Sequence, residues 1–124
     1  MIILHALTKS LWDTYRDQDS YGQRSLDRCG FIHCSDLSTY ERVAPNFKDE
    51  VQEMLLLVID TEKVTSPIQW EDLDRCGVRY PHIYGPLNKD AVVMVLPHLW
   101  TEQREWLMNE ELKALSRGSA ELSE

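Results

Sequence analysis

Met54-Leu55-Leu56-Leu57-Val58-Ile59 is an uninterrupted apolar run. It is strand-sized, and it falls far short of the ~20 residues that cross a bilayer. Alternate residues of a strand face opposite sides, and here neither side carries a polar group, so the segment predicts a strand covered on both faces. A fold with such a strand needs one layer of structure above it and another below. At 124 residues the chain has the size of one domain. A chain this long buries roughly 65–70% of its unfolded surface and needs no metal or disulfide to hold its core.

Charged residues make up 27% and hydrophobic ones 43%, a globular composition that argues against disorder. Net charge is −8, from 21 acidic and 13 basic residues spread along the chain without a basic cluster. Long RNA or DNA is disfavoured as a partner, because such binders concentrate Lys and Arg against phosphates. A small molecule with one or two phosphates needs only one local cation and a few backbone N–H groups. Cys29, Cys34 and Cys76 are odd in number and form no visible framework, so reduced thiols are expected. The opening MIILHALTKS has no basic stretch and no small-residue cleavage site. It is read as a buried first strand instead of a signal peptide, which places the protein in the cytoplasm with no membrane span.

Ile2 to Leu7 reads as that strand, and Thr8 caps a helix bearing Leu11, Trp12 and Tyr15 on one face. Residues 17–29 read as a polar loop and Phe31 to Cys34 as a short strand. Ser38-Thr39-Tyr40-Glu41 matches a capping box and predicts a second helix, with Ser35 or Asp36 as alternative starts and Pro45 limiting its length. Ile68 to Glu71 alternates as a strand, Tyr80 to Asn88 reads as irregular, and Ala91 to Leu96 as another strand buried on both faces. The tail from Thr101 to about Arg117 predicts a helix using Trp106, Leu107, Leu112 and Leu115, with Gly118 to Glu124 frayed. Helices early and strands later, without βαβ alternation, predict a single α+β domain. No G-x-G-x-x-G or Walker loop is present.

Three histidines stand where a core would not ask for one: His5 in ILHALT, His33 in GFIHCS and His82 in PHIYGPL. A lone strand histidine is more often structural, and His98 beside Pro97 keeps that reading. Three such segments, with Ser35 and Tyr84 close by, point to a shared polar cleft. In an extended segment His82 and Tyr84 share a face while Ile83 points into the core. No metal is expected, since there is no C-x-x-C pair and His33 and Cys34 point to opposite faces of a strand. The same geometry separates His33 from Cys34 as a nucleophile pair. Glu71 and Asp72 alternate, so no paired-carboxylate chemistry is visible, and Glu71 reads as a solvated strand end.

His5, Ser25-Leu26, the run Gly30 to Ser35, Trp70-Glu71 and the run Pro81 to Leu87 together resemble a small, uncharacterised bacterial and plant domain family marked by GFIHCS and PHxYGPL. The resemblance spans residues 1–97. It leaves residues 1–100 as the common domain and 101–124 as an acidic helical extension packed on it. The family is similar in fold to ADP-ribosyltransferases, with a split sheet around an NAD cleft, and to NAD-dependent RNA 2′-phosphotransferases. That similarity implies NAD as cofactor and His5 and His33 as catalytic residues. It implies Thr8, Arg24, Ser25, Ser35, His82 and Tyr84 as ligand-binding residues, with His82 and Tyr84 beside the nicotinamide or the acceptor. The usual His-Gly-Thr run is here His5-Ala6-Leu7-Thr8. RNA phosphotransfer is disfavoured by the acidic charge and the missing basic lobe.

Three classes of function stay open on this reading: an NAD-using transferase or glycohydrolase acting on a small or protein acceptor, a non-catalytic nucleotide-binding or metabolite-binding module, and a structural or interaction domain using the acidic tail. The acceptor and the oligomeric state are not legible.

Overall fold

The computed structural model describes the chain through Leu122 and its side chains through Ser116. In chain order the elements are β1 (Ile2–Thr8), α1 (Lys9–Thr14), β2 (Ser20–Tyr21), α2 (Gln23–Cys29), β3 (Ile32–His33), β4 (Ser35–Asp36), α3 (Tyr40–Val43), β5 (Met54–Asp60), β6 (Ile68–Glu71), β7 (Tyr80–Ile83), β8 (Leu87–Asn88), β9 (Val92–Pro97), β10 (Leu99–Trp100), β11 (Trp106–Leu107) and α4 (Glu110–Leu122). Short 3-10 turns occupy Ala44–Phe47, Thr61–Lys63 and Lys89–Ala91. The chain is a single α+β domain of antiparallel sheets with few helices.

The apolar run forms β5, an interior strand of the four-stranded sheet β4-β1-β5-β9. It separates two cores, as its composition requires. Leu55, Leu57 and Ile59 join Ile3 and Leu7 on one face, against Tyr21, Ile32, Cys34, Ile83 and Leu87. Leu56 and Val58 join Leu4 and Leu96 on the other, against Tyr40, Ala44 and Leu112. The first face is therefore covered by two smaller sheets, β3-β7-β6 and β2-β8, and the second by α3, its 3-10 extension and α4. β1 pairs with β5 in a register that sets His5 opposite Leu57, on the side of the two small sheets.

Local chemistry explains where the structure departs from the sequence reading. Residues 17–29 are not one loop: they hold β2 and α2. α2 is bracketed by Gly22 and Gly30, both at positive φ, and a side chain at Gly22 would collide with Ile32. One partly buried leucine, Leu26, gives that helix no periodicity to read. The Ser38-to-Glu41 capping box does not form. Asp36 Oδ1 instead accepts from the Thr39 amide, the Thr39 hydroxyl and the Ser38 hydroxyl, each at 2.8 Å. α3 then runs into the 3-10 turn at Pro45. Tyr80 to Asn88, read as irregular, supplies β7 and β8. β9 is a sheet edge with Val93 and Val95 exposed, so it is covered on one face only.

The tail helix begins at Glu110 and not Thr101, because Leu99–Trp100 and Trp106–Leu107 pair as a hairpin. The expected fraying over Gly118 to Glu124 lies partly outside the described residues, the helix being followed to Leu122. Leu112, at 0% exposure, anchors that helix on Leu4, Leu56 and Val58. Leu112→Ala should therefore lower unfolding free energy by about 2–5 kcal/mol, the range for leucine truncation in a packed core. Urea denaturation measures this, and a loss below about 1 kcal/mol would mean that α4 is not docked in solution.

Candidate functional site

The chain leaves the three-stranded sheet at Cys34. β3 ends at His33, β4 begins at Ser35, and these neighbours pair with different sheets. Where the two sheets part, a cleft of about 720 Å³ opens. His5, His33, Ser35, Tyr40, Arg42, Glu71, Asp74 and His82 are among the residues lining it.

Strand alternation aims the histidines. Ile32 pairs with Ile83 in the core, and the next pair out is His33 with His82. On the other side of β7, β6 brings Glu71 onto the same face. Glu71 Oε1 accepts from the Tyr84 hydroxyl at 2.6 Å and lies 3.0 Å from His82 Nδ1. His82 and Tyr84 thus share a face while Ile83 is fully buried, as the two-residue spacing requires. The Tyr84 hydrogen bond, then that of His82, holds the Glu71 carboxyl below the usual range, so it is ionised at neutral pH. The same bond raises the Tyr84 phenol. Phe31 stacks on His82 with centroids 4.3 Å apart and meets the His33 ring edge-on at 4.7 Å. Burial, then the neighbouring His82, lowers the His33 pKa.

His5 is of a different kind. Its ring is buried, with Nδ1 2.5 Å from the His33 carbonyl and Nε2 2.9 Å from the Tyr21 hydroxyl. A carbonyl only accepts, so Nδ1 carries the proton and Nε2 accepts from Tyr21. Burial lowers the His5 pKa to about 4, which keeps the ring neutral. Cys34, behind the cleft, is buried and its thiol is pushed up by that burial, so it packs as a thiol and does not act as a thiolate. His98 is structural: it is buried, bonded to the Tyr40 hydroxyl at 2.7 Å and stacked on Trp100.

Of the residues singled out in the sequence, the structure brings His5, His33, Ser35 and His82 into one cleft, with Tyr84 joined through Glu71. Thr8, Arg24 and Ser25 are not among its lining residues. Thr8 caps α1 by accepting from the Leu11 amide at 3.2 Å, and Arg24 and Ser25 lie on α2. Glu71, Arg42, Phe31 and Tyr21 are additions. Phe31 stands inside GFIHCS, and Glu71 stands an odd number of residues from His82 on a paired strand, but nothing in the sequence marks Arg42 or Tyr21. Among the described residues no group of three His, Cys, Asp or Glu side chains could hold a metal ion, and no helix is long and apolar enough to cross a membrane.

A family model described as "protein of unknown function (DUF952)" matches residues 6–95. The chain belongs to the DUF952 family. The match runs from Ala6, within β1, to Val95, within β9; it takes in His33, Ser35, Glu71 and His82 but not His5, and stops short of β10, β11 and α4. No curated protein matches the chain. Its fold is similar to the crystal structure of protein CC0527 from Caulobacter crescentus, with a TM-score of 0.78 at 24% identity over 91% of this chain and 99% of that one. The solution NMR structure of CC0527 gives a TM-score of 0.69 at 25% identity over 84% and 90%.

The His5 junction should make this DUF952 protein lose stability in acid. A histidine whose pKa falls from about 6.5 unfolded to about 4 folded binds fewer protons in the native state. Its contribution is complete above pH 6.5 and is lost as pH falls toward 4, by about 3 kcal/mol in all. Burial lowers His98 to about 4 as well, so the two losses run in the same window. Urea denaturation from pH 7 to pH 4.5 should show this fall, whereas a flat profile would mean that His5 takes up its proton as readily in the fold as in the unfolded chain. Tyr21→Phe should cost a further 1–3 kcal/mol at pH 7, roughly the value of leaving a buried acceptor unpaired.

Proposed function

We propose that the cleft binds NAD and that the protein is an NAD-using transferase or glycohydrolase. The observation that carries this reading is the convergence of His33, His82 and an ionised Glu71 on one cleft of about 720 Å³. That volume lies within the roughly 300–1,000 Å³ of small-molecule sites. The opening of the cleft between a four-stranded and a three-stranded sheet supports the likeness to the split sheet of ADP-ribosyltransferases.

Loss of nicotinamide leaves positive charge on the ribose, and a fixed negative group where that charge develops stabilises the transition state. Glu71 supplies one: Oε1 is engaged by Tyr84 and His82, and the residue lines the cleft. Arg42, also at the cleft, makes no ion pair among the described residues and is the cation for the pyrophosphate. His33 is exposed and its ring makes no hydrogen bond among the described residues, so it is the histidine that meets the ligand. His5 acts on the site only through the His33 carbonyl, as a positioning residue. That engagement of both its nitrogens also favours the second reading, a non-catalytic nucleotide-binding module, in which His5 fixes the wall of a binding cleft.

NAD at millimolar concentration should raise the melting temperature, because a ligand at 100 times its Kd stabilises by about 2.7 kcal/mol. The shift should vanish in His33→Ala and shrink in Arg42→Ala. No shift with NAD or ADP-ribose would remove the NAD reading. A shift without nicotinamide release would select the binding module.

A further inference from the structure

We infer that Glu71 and His82 form a carboxylate–imidazole pair in which His82 takes the proton of water, or of an acceptor hydroxyl, as that oxygen attacks the ribose carbon. This deepens the NAD reading above and rests on it.

The chemistry of the partners fixes the tautomer. An ionised carboxylate only accepts, so His82 Nδ1, 3.0 Å from Glu71 Oε1, carries the hydrogen. Nε2 is then left with its lone pair, and it has no hydrogen-bond partner among the described residues. Three further contacts stop the pair from turning. The Tyr84 hydroxyl holds the same Glu71 oxygen at 2.6 Å. Phe31 stacks on the His82 ring at 4.3 Å and 26°. The next residue of β7, Ile83, is locked in the core at 0% exposure. A base whose tautomer is set by a third group, on a ring that lines a cleft, is the arrangement that proton transfer requires.

The other histidines do not meet that requirement. His5 has both ring nitrogens occupied. No side-chain hydrogen bond sets the His33 tautomer, and its ring is presented edge-on to His82, with centroids 5.3 Å apart. His33 is therefore suited to contact the ligand and His82 to move a proton. In the hydrolytic case, water forms the new C–O bond to the ribose carbon as the C–N bond to nicotinamide breaks. Nicotinamide leaves with that electron pair as a neutral molecule, and the water proton passes to His82 Nε2. The resulting imidazolium is neutralised by Glu71 and returns its proton to solvent, giving ADP-ribose, nicotinamide and one proton. An acceptor hydroxyl follows the same path to the ADP-ribosylated acceptor.

The test combines kinetics with a measurement that needs no ligand. NAD affinity by calorimetry and nicotinamide release are followed in the wild type, His82→Gln, His82→Ala and Glu71→Gln. His82→Gln should lose about 10²–10⁴ in rate, the usual worth of a general base, with NAD affinity changed by no more than about threefold. His82→Ala should regain part of its rate when free imidazole is added, which a residue of purely structural value would not show. Glu71→Gln should lower kcat about tenfold or more and leave KM within about twofold. In the unliganded wild type, long-range proton–nitrogen spectra of the imidazoles should show His82 protonated at Nδ1. A neutral His82 protonated at Nε2 and bare at Nδ1 overturns the pairing, even if the variants do not fold. So does nicotinamide release that His82→Gln leaves intact, and both outcomes leave NAD binding standing. Absence of NAD binding by the wild type overturns the NAD reading itself and the base role with it.

Discussion

The two hydrogen bonds of His5 join three sheets. Its strand, β1, belongs to the four-stranded sheet. Nδ1 donates to the His33 carbonyl on β3 of the three-stranded sheet, and Nε2 accepts from Tyr21 on β2 of the two-stranded sheet. A polar ring buried in that position would be costly without partners, and it has one for each nitrogen. Because accepting from Tyr21 requires an unprotonated Nε2, the junction also selects a protonation state. The desolvation that drives the His5 pKa down keeps the bond to Tyr21 in place. Tyr21 is in turn packed by Trp12 and Tyr15, so α1 is fixed by the same contact.

The cleft follows from this junction. With the His33 carbonyl tied inward to His5, the His33 side chain is turned outward, and Cys34 begins the crossing from one sheet to the other. The Cys34 amide donates to the Pro81 carbonyl at 3.1 Å, which holds β7 against the turn. From there ordinary strand alternation sets His82 across from His33 and brings Glu71 alongside from β6. The polar residues of the site are thus second positions behind core residues: His33 follows Ile32, and His82 precedes Ile83. A one-residue slip of β7 would send His82 into the core and Ile83 into the cleft, so the packing of the isoleucines fixes the register on which the site depends.

Much of this was legible in the sequence, and the exceptions have physical causes. The apolar run from Met54 announced an interior strand with two covered faces, and the opposite orientation of His33 and Cys34 followed from period-two alternation. The side shared by His82 and Tyr84 was legible for the same reason. Glu71 was not, because a glutamate at a strand end is usually solvated. Only the pairing of β6 with β7, a long-range property, brings it to His82. Thr8, Arg24 and Ser25 were drawn to the site by family resemblance, and the fold spends Thr8 on a helix cap and sets the other two on α2. β2, β8 and β10 were hidden because strands of two residues are too short to carry a hydrophobic period.

The distribution of charge around the cleft bears on what it admits. A chain of net charge −8 repels a polyanion at long range, and screening removes that repulsion only beyond about 8–10 Å at ordinary ionic strength. Within the cleft the signs are divided: Arg42 comes from α3, while Glu71 and Asp74 come from the region of β6. A ligand that is anionic at one end and electron-poor at the other matches this division. A ligand anionic along its whole length meets two carboxylates against the one cation Arg42 among the lining residues. On the NAD reading the pyrophosphate goes toward Arg42 and the positively charged nicotinamide ribose toward Glu71, an orientation that brings the reacting carbon to His82.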